Sequence, residues 1–261
     1  MIAKILIRGM LTGLIAGLFV FAMAKTMGEP YVERAIALEG TLGHSHSHED
    51  AAHAQPGMAA TAAEPEEPEL FSRETQSGLG LFTGVTAYST GLGGLFSLVF
   101  AFAYGRMGRT SPRKLSALLA LCGFIAVVVV PMLKYPANPP AVGDGETIDL
   151  RTLLYFSMLF ISVTAAVLSV KFVRHFSDKL GSWHAAIFGG LAFIVVIAMA
   201  QGLLPTVNEV PEGFPADLLW NFRIVSLGMQ AVLWSILGLL FGELTERRMK
   251  ASAVSGKLAL A

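Results

Sequence analysis

Six apolar runs, Ile5–Lys25, Gly78–Tyr104, Leu115–Leu133, Leu153–Val173, Trp183–Leu204 and Ile224–Phe241, leave this chain few folds to choose from. About 20 such residues in a helix cross the hydrocarbon core of a bilayer. Inside lipid every backbone N–H and C=O must find a partner within the protein, so only helices and closed barrels can span it. None of the six runs alternates apolar and polar residues as a barrel strand does. The expected fold is therefore an all-α integral membrane protein, a bundle of about six transmembrane helices arranged as successive helical hairpins. Composition agrees: 54% hydrophobic residues against 15% charged, with a mean hydropathy of +0.61, is too apolar for a water-soluble domain.

The distribution of charge says more than its sum. A formal net charge of zero leaves no basic excess to neutralise phosphates, which argues against a nucleic-acid partner. Most of the 19 basic residues fall at alternate ends of successive runs: Lys4 and Arg8, then Arg106, Arg109, Arg113 and Lys114, then Lys171, Arg174 and Lys179, then Arg247, Arg248, Lys250 and Lys257. By the positive-inside rule that face is cytoplasmic, which places both termini inside. Residues 243–261 then form a cytoplasmic tail.

The first span (residues 1–27) admits two readings. Lys4 and Arg8, an apolar stretch and then Ala22-Met23-Ala24 resemble a cleavable signal segment. Gly9, Gly13 and Gly17, recurring every fourth residue, favour a retained helix that another helix approaches closely. Residues 28–77 form the longest connection, on the external side. Glu29–Leu42 can make a short amphipathic surface helix, and the Pro-, Ala- and Glu-rich sequence beyond it cannot bury a core. Between them lies a histidine segment in which His44, His46 and His48 alternate and His53 follows. In extended backbone the three imidazoles project to one side and can close on a single cation. Neutral imidazole suits cobalt, nickel, copper and zinc alike, and affinity order alone does not choose among them. The competing reading is a solvated linker with incidental histidines.

Residues 78–242 make up a five-helix bundle with two Pro-rich external loops, 134–152 and 205–223. The first contains KYPANPPAVGD (Lys134–Asp144) and the second NEVPEGFPAD (Asn208–Asp217). Proline removes a backbone donor and biases the preceding residue away from helix, so both should be ordered, non-helical loops. Asn138, Pro140 and Gly143 resemble Asn208, Pro211 and Gly213, and each loop runs on to an arginine (Arg151, Arg223) and a serine (Ser157, Ser226). The expected unit is helix, Pro-rich loop, helix, used twice. Asn138, Asn208, Glu209, Glu212 and Asp217, with Asp144 and Glu146, present amide and carboxylate oxygens on the same side as the histidines. They can form a second candidate site for a hydrated cation. Alternatively they cap helix ends, as Asp217 before Leu218 can do.

No Asp, Glu or His lies deep in any run, so there is no intramembrane proton relay and no axial pair for haem. The single Cys122 cannot form an intramolecular disulfide or a cysteine metal cage. No phosphate loop, nucleophile elbow or HExxH pair is present, which disfavours an enzyme and leaves no organic cofactor expected.

Gly28–Pro30, SGLGL from Ser77, FAYGR from Phe102 and the two Pro-rich loops together resemble the CbtA family, the predicted cobalt transporter subunits of bacteria. The resemblance covers nearly the whole chain. It implies an inner (plasma) membrane protein serving cobalt uptake for cobalamin biosynthesis, paired with a small, single-span, His-bearing subunit, CbtB. It brings no ligand residues with it. The leading expectation is thus a membrane subunit that captures a divalent transition metal externally and passes it inward. The alternative is a non-transporting scaffold or metal-sensing subunit that binds the cation outside and signals through another protein.

Overall fold

The computed structural model describes residues 2–39, 72–108, 110–143 and 145–258. Six helices in it are long and apolar enough to cross a membrane: α1 (Ile2–Glu39), α2 (Arg73–Ala103), α3 (Pro112–Lys134), α4 (Ile148–Leu180), α5 (Ser182–Leu203) and α6 (Ala216–Leu258). The chain is an all-α bundle of the kind its sequence dictates. Two differences from expectation concern boundaries. Residues 29–39 do not form a separate surface helix but continue α1. The Pro-rich loops are also shorter than the spacing of the apolar runs suggests, since α4 starts at Ile148 and α6 at Ala216.

Small residues set which helices pair. On α1, Gly9, Gly13 and Gly17 are all buried, while Leu11, Leu14, Ile15, Leu18 and Phe19 face outward. A Cβ on Gly13 would run into the Ser89 carbonyl, and one on Gly93 into the Gly9 carbonyl, so α1 and α2 touch backbone to backbone. Lipid tails give no hydrophobic drive for helices to pair, so this close dispersion contact is what holds them. Along α3 and α6, Gly238 faces Ala120, Gly242 faces Ser116, and the Ser116 hydroxyl donates to the Gly238 carbonyl at 2.7 Å. Gly189 of α5 receives Val173 of α4 in the same way.

The pairing reveals a reciprocal plan. The unit α3–loop–α4 and the unit α5–loop–α6 exchange partners: α3 packs along α6, and α4 along α5. The α1–α2 hairpin then packs on α6 through α1. At the end bearing the Pro-rich loops, hereafter the loop end, Lys134 Nζ donates to the Gln201 carbonyl at 2.7 Å. Tyr135 Oη donates to the Pro205 carbonyl at 2.8 Å, binding α3 to α5.

Three π-helical turns interrupt the spans, at Ala24–Gly28, Gln76–Gly80 and Phe124–Val129. The third ends two residues before Pro131, whose ring would clash with the carbonyl one turn back in a regular helix. The first two are neighbours in space: Lys25 Nζ donates to the Ser77 carbonyl at 3.2 Å and lies 3.3 Å from its hydroxyl.

Candidate functional site

Both Pro-rich loops make the same turn. The Val142 amide bonds the Pro139 carbonyl and the Phe214 amide bonds the Pro211 carbonyl, each at 3.2 Å. The third residue of each turn has positive φ, Ala141 at 65° and Gly213 at 84°. Positive φ at that position is the mark of a type II turn and suits glycine, so Ala141 is held there against its preference. This geometry shifts the repeat register read from the asparagines. Pro139 matches Pro211, and Arg151 and Arg223 follow at equal spacing, whereas Asn138 and Asn208 do not correspond.

The two arginines then cross over. Arg151 forms an ion pair with Glu209 of the second loop, and Glu209 also accepts from the Thr147 hydroxyl. Arg223 donates to the Asn138 side-chain oxygen at 2.8 Å and to the Ala137 carbonyl at 3.3 Å, both in the first loop. Gly143 has φ 142°, and a Cβ there would lie 2.6 Å from Arg151 Nη1, so the pair needs a glycine beneath it. Above the loops, Ala35 of the extended α1 packs with Val142, Phe214 and Leu218. Arg73, at the start of α2, pairs with Glu29. The α1 extension is thereby fixed as a roof over the loops.

Beneath them is a cavity of about 770 Å³. Its polar wall carries Arg151, Glu209, Arg223, Asn138 and Asn208. Its apolar wall comes from Val20 of α1, Val85 of α2, Val127 and Met132 of α3 and Phe156 of α4. It descends as far as Ser89 on α2 and Leu233 on α6. Two polar groups on this lining, Ser89 Oγ and Gln230 Oε1, are buried without a hydrogen-bond partner, an arrangement that costs stability unless something polar meets them. Farther along the same helices an aromatic cluster closes the bundle. Phe96 and Phe100 pack edge-to-face on Phe241, with centroids 5.6 and 5.1 Å apart, and Phe96 meets Trp234 at 6.4 Å. Trp234 has room for its ring only because Gly123 has no side chain. Beside the cavity, burial pushes the Tyr135 phenol above its ordinary pKa, which keeps it a neutral donor to Pro205.

A family model described as a probable cobalt transporter subunit, CbtA, matches residues 2–246. The chain belongs to the CbtA family. The match takes in the first five spans, both Pro-rich loops and the sixth span as far as residue 246, so the cavity is built wholly from the portion shared with CbtA. Membership makes this a multi-pass membrane protein of a cobalt transporter subunit family, with the metal ion as substrate. No curated protein and no solved structure matches the chain.

The residues singled out from sequence fare differently. Asn138 and Glu209 come together with Arg223 and Arg151 on the polar wall, while Asn208 also lines the cavity and is exposed. Glu212 and Asp217 are exposed, and Asp217 lies in the first turn of α6, one residue inside its start, where a carboxylate complements the helix dipole. His44, His46, His48 and His53, with Asp144 and the Glu146 side chain, lie outside the described residues. Among the described residues, no three His, Cys, Asp or Glu side chains gather as a metal site. Sequence reasoning overlooked the two arginines as site residues. Their equal spacing from the turn prolines was the available signal.

Proposed function

We propose that this CbtA-family chain is the bacterial inner-membrane subunit of a cobalt-uptake transporter that takes its metal from the external face. The cavity carries this proposal. It begins at the loop end, where α1 and α2 flank the histidine segment, and stops over an aromatic floor. A compartment set under the loop end, away from the basic end of the spans, is where a transporter loading from that side would hold its substrate. Most of the arginine and lysine residues lie at the far end of the spans, which supports a loop end outside and both termini in the cytoplasm.

In this scheme His44, His46, His48 and His53 collect cobalt and raise its local concentration. Asn208, Glu212 and Asp217 offer oxygen ligands at the rim. Asn138 and Glu209 lie farther in, held by arginine. Nickel, zinc and copper remain competitors, because imidazole and oxygen ligands do not separate them by affinity alone. A small, single-span, His-bearing subunit of the CbtB kind is the proposed partner, and cobalamin biosynthesis the proposed destination. We read the chain as a conduit rather than an enzyme.

The test is uptake of radiolabelled cobalt by cells expressing the chain, with and without the small partner. Accumulation above empty-vector cells is expected, with competition by excess unlabelled cobalt. Equal accumulation in both conditions would remove the transport proposal and leave a scaffold or sensor.

A further inference from the structure

Building on the cobalt-uptake proposal, we infer that the cavity takes the metal as a negatively charged organic chelate of the polycarboxylate class, not as a bare hydrated dication. Three observations on the same cavity point there.

The first is charge. Arg151, Arg223 and Glu209 line the cavity, and Glu209 is already neutralised by Arg151. Arg223 makes its bonds to an amide oxygen and a backbone carbonyl, both uncharged. Among the described lining residues the balance is therefore one positive charge in excess. In a partly desolvated site that charge repels a free dication and attracts a carboxylate, which guanidinium recognises through a planar fork of donors.

The second is size. A cation with six first-shell waters, at about 30 Å³ per water, occupies roughly 200 Å³. The cavity, at about 770 Å³, is several times larger and falls in the range that holds small organic ligands.

The third is the lining. Apolar side chains cover most of the wall, broken by the Asn138 and Asn208 amides and the Thr152 and Ser226 hydroxyls. A hydrated ion has no use for the apolar surface. A chelate with a carbon skeleton, hydroxyls and carboxylates uses all three kinds of group.

The experiment is calorimetric titration of the full chain in phosphatidylcholine nanodiscs with cobalt chloride, with citrate and with equimolar cobalt–citrate. Cobalt–citrate should bind wild type, free citrate should compete with it, and Arg223→Gln should weaken it by about tenfold or more. Ser226→Asp adds a carboxylate one helical turn from Arg223 on the cavity lining and should weaken it to the same degree. That variant leaves the Arg223 bonds to the first loop intact, so it serves if Arg223→Gln does not fold. Arg223→Lys, which keeps the charge but not the planar fork, should bind between wild type and Arg223→Gln. Cobalt–citrate binding that is absent from wild type, or unchanged by both Arg223→Gln and Ser226→Asp, overturns the inference. So does a response to phosphatidylglycerol nanodiscs with none to citrate, which would assign the cavity to lipid. Each of these results leaves the cobalt-uptake proposal standing, because that proposal falls only on failure of cellular cobalt accumulation.

Discussion

Arg151 of α4 is paired with Glu209, a residue that belongs to the other helix–loop–helix unit. Its counterpart Arg223 returns the contact by bonding Asn138 of the first loop. The Glu209 side chain is only 6% exposed and that of Arg151 32%, so losing the arginine strands a buried carboxylate. Arg151→Ala should therefore lower stability by about 2–4 kcal/mol, the partial exposure of the arginine keeping it below the cost of a fully buried pair. Glu209→Gln keeps acceptor capacity for Thr147 and Arg151 and should cost about 1 kcal/mol. In the double variant Arg151→Ala, Glu209→Ala part of the loss should return, since no charge is left unpaired. Thermal unfolding in detergent checks all three. An Arg151→Ala protein that melts with wild type would show that the cross-loop pair holds nothing.

The contact of α1 with α2 gives a sharper contrast, because glycines on these two helices differ in what surrounds them. Gly13→Leu drives a side chain into the Ser89 carbonyl and should separate the helices, seen as loss of the monodisperse peak in size-exclusion chromatography. Gly91 has open space where its Cβ would be. Gly91→Ala should be neutral or stabilising by up to about 1 kcal/mol, since alanine is the better helix former. Equal tolerance of both substitutions would mean that α1 is not seated on α2 as described.

These relationships differ in how far the sequence foretells them. Gly9, Gly13 and Gly17 at one-turn spacing announce a buried seam, because that period puts them on a single helix face. They do not name the partner, which depends on Ser89 and Gly93 much later in the chain. Prolines predict where the loops lie, yet the asparagines misalign them, since the repeat is carried by backbone shape at Ala141 and Gly213 rather than by side-chain identity. Glu209 reads as a candidate metal ligand from composition alone. Its engagement by Arg151 and Thr147 is a long-range contact that no local pattern encodes. The π turns leave no sequence signal beyond Pro131, because each is a compromise between helix register and tertiary packing.

Gly123 and Trp234 test the floor of the cavity. Any side chain at position 123 would occupy the space of the indole ring. Gly123→Val should cost about 1–3 kcal/mol by overpacking. It should also displace Trp234 from Phe96, visible as a shift in tryptophan emission when Trp183 and Trp220 are replaced by Phe. If the floor seals the cavity, cells carrying Gly123→Val should retain cobalt less well at equal expression. An unchanged emission spectrum together with unchanged retention would remove Trp234 from that role.

If the histidine segment captures cobalt as proposed, it sets how uptake should respond to scarcity. A capture segment adds nothing to the cavity itself; it raises the cobalt concentration at the mouth, so its removal matters only while supply is limiting. Deleting residues 43–69 should leave uptake at saturating cobalt close to wild type and raise the half-saturating concentration by about tenfold or more, the scale that tethered capture provides. Imidazole binds metal only when unprotonated, so wild-type uptake at low cobalt should fall as the external pH drops below about 6 and converge on the deletion variant. A sensor or scaffold behaves otherwise, because the deletion would abolish its response at every cobalt concentration. Labelled-cobalt uptake measured across a concentration series at pH 7.5 and 5.5, for wild type and the deletion, separates the two behaviours. A deletion that lowers the maximal rate while leaving half-saturation untouched would count against capture.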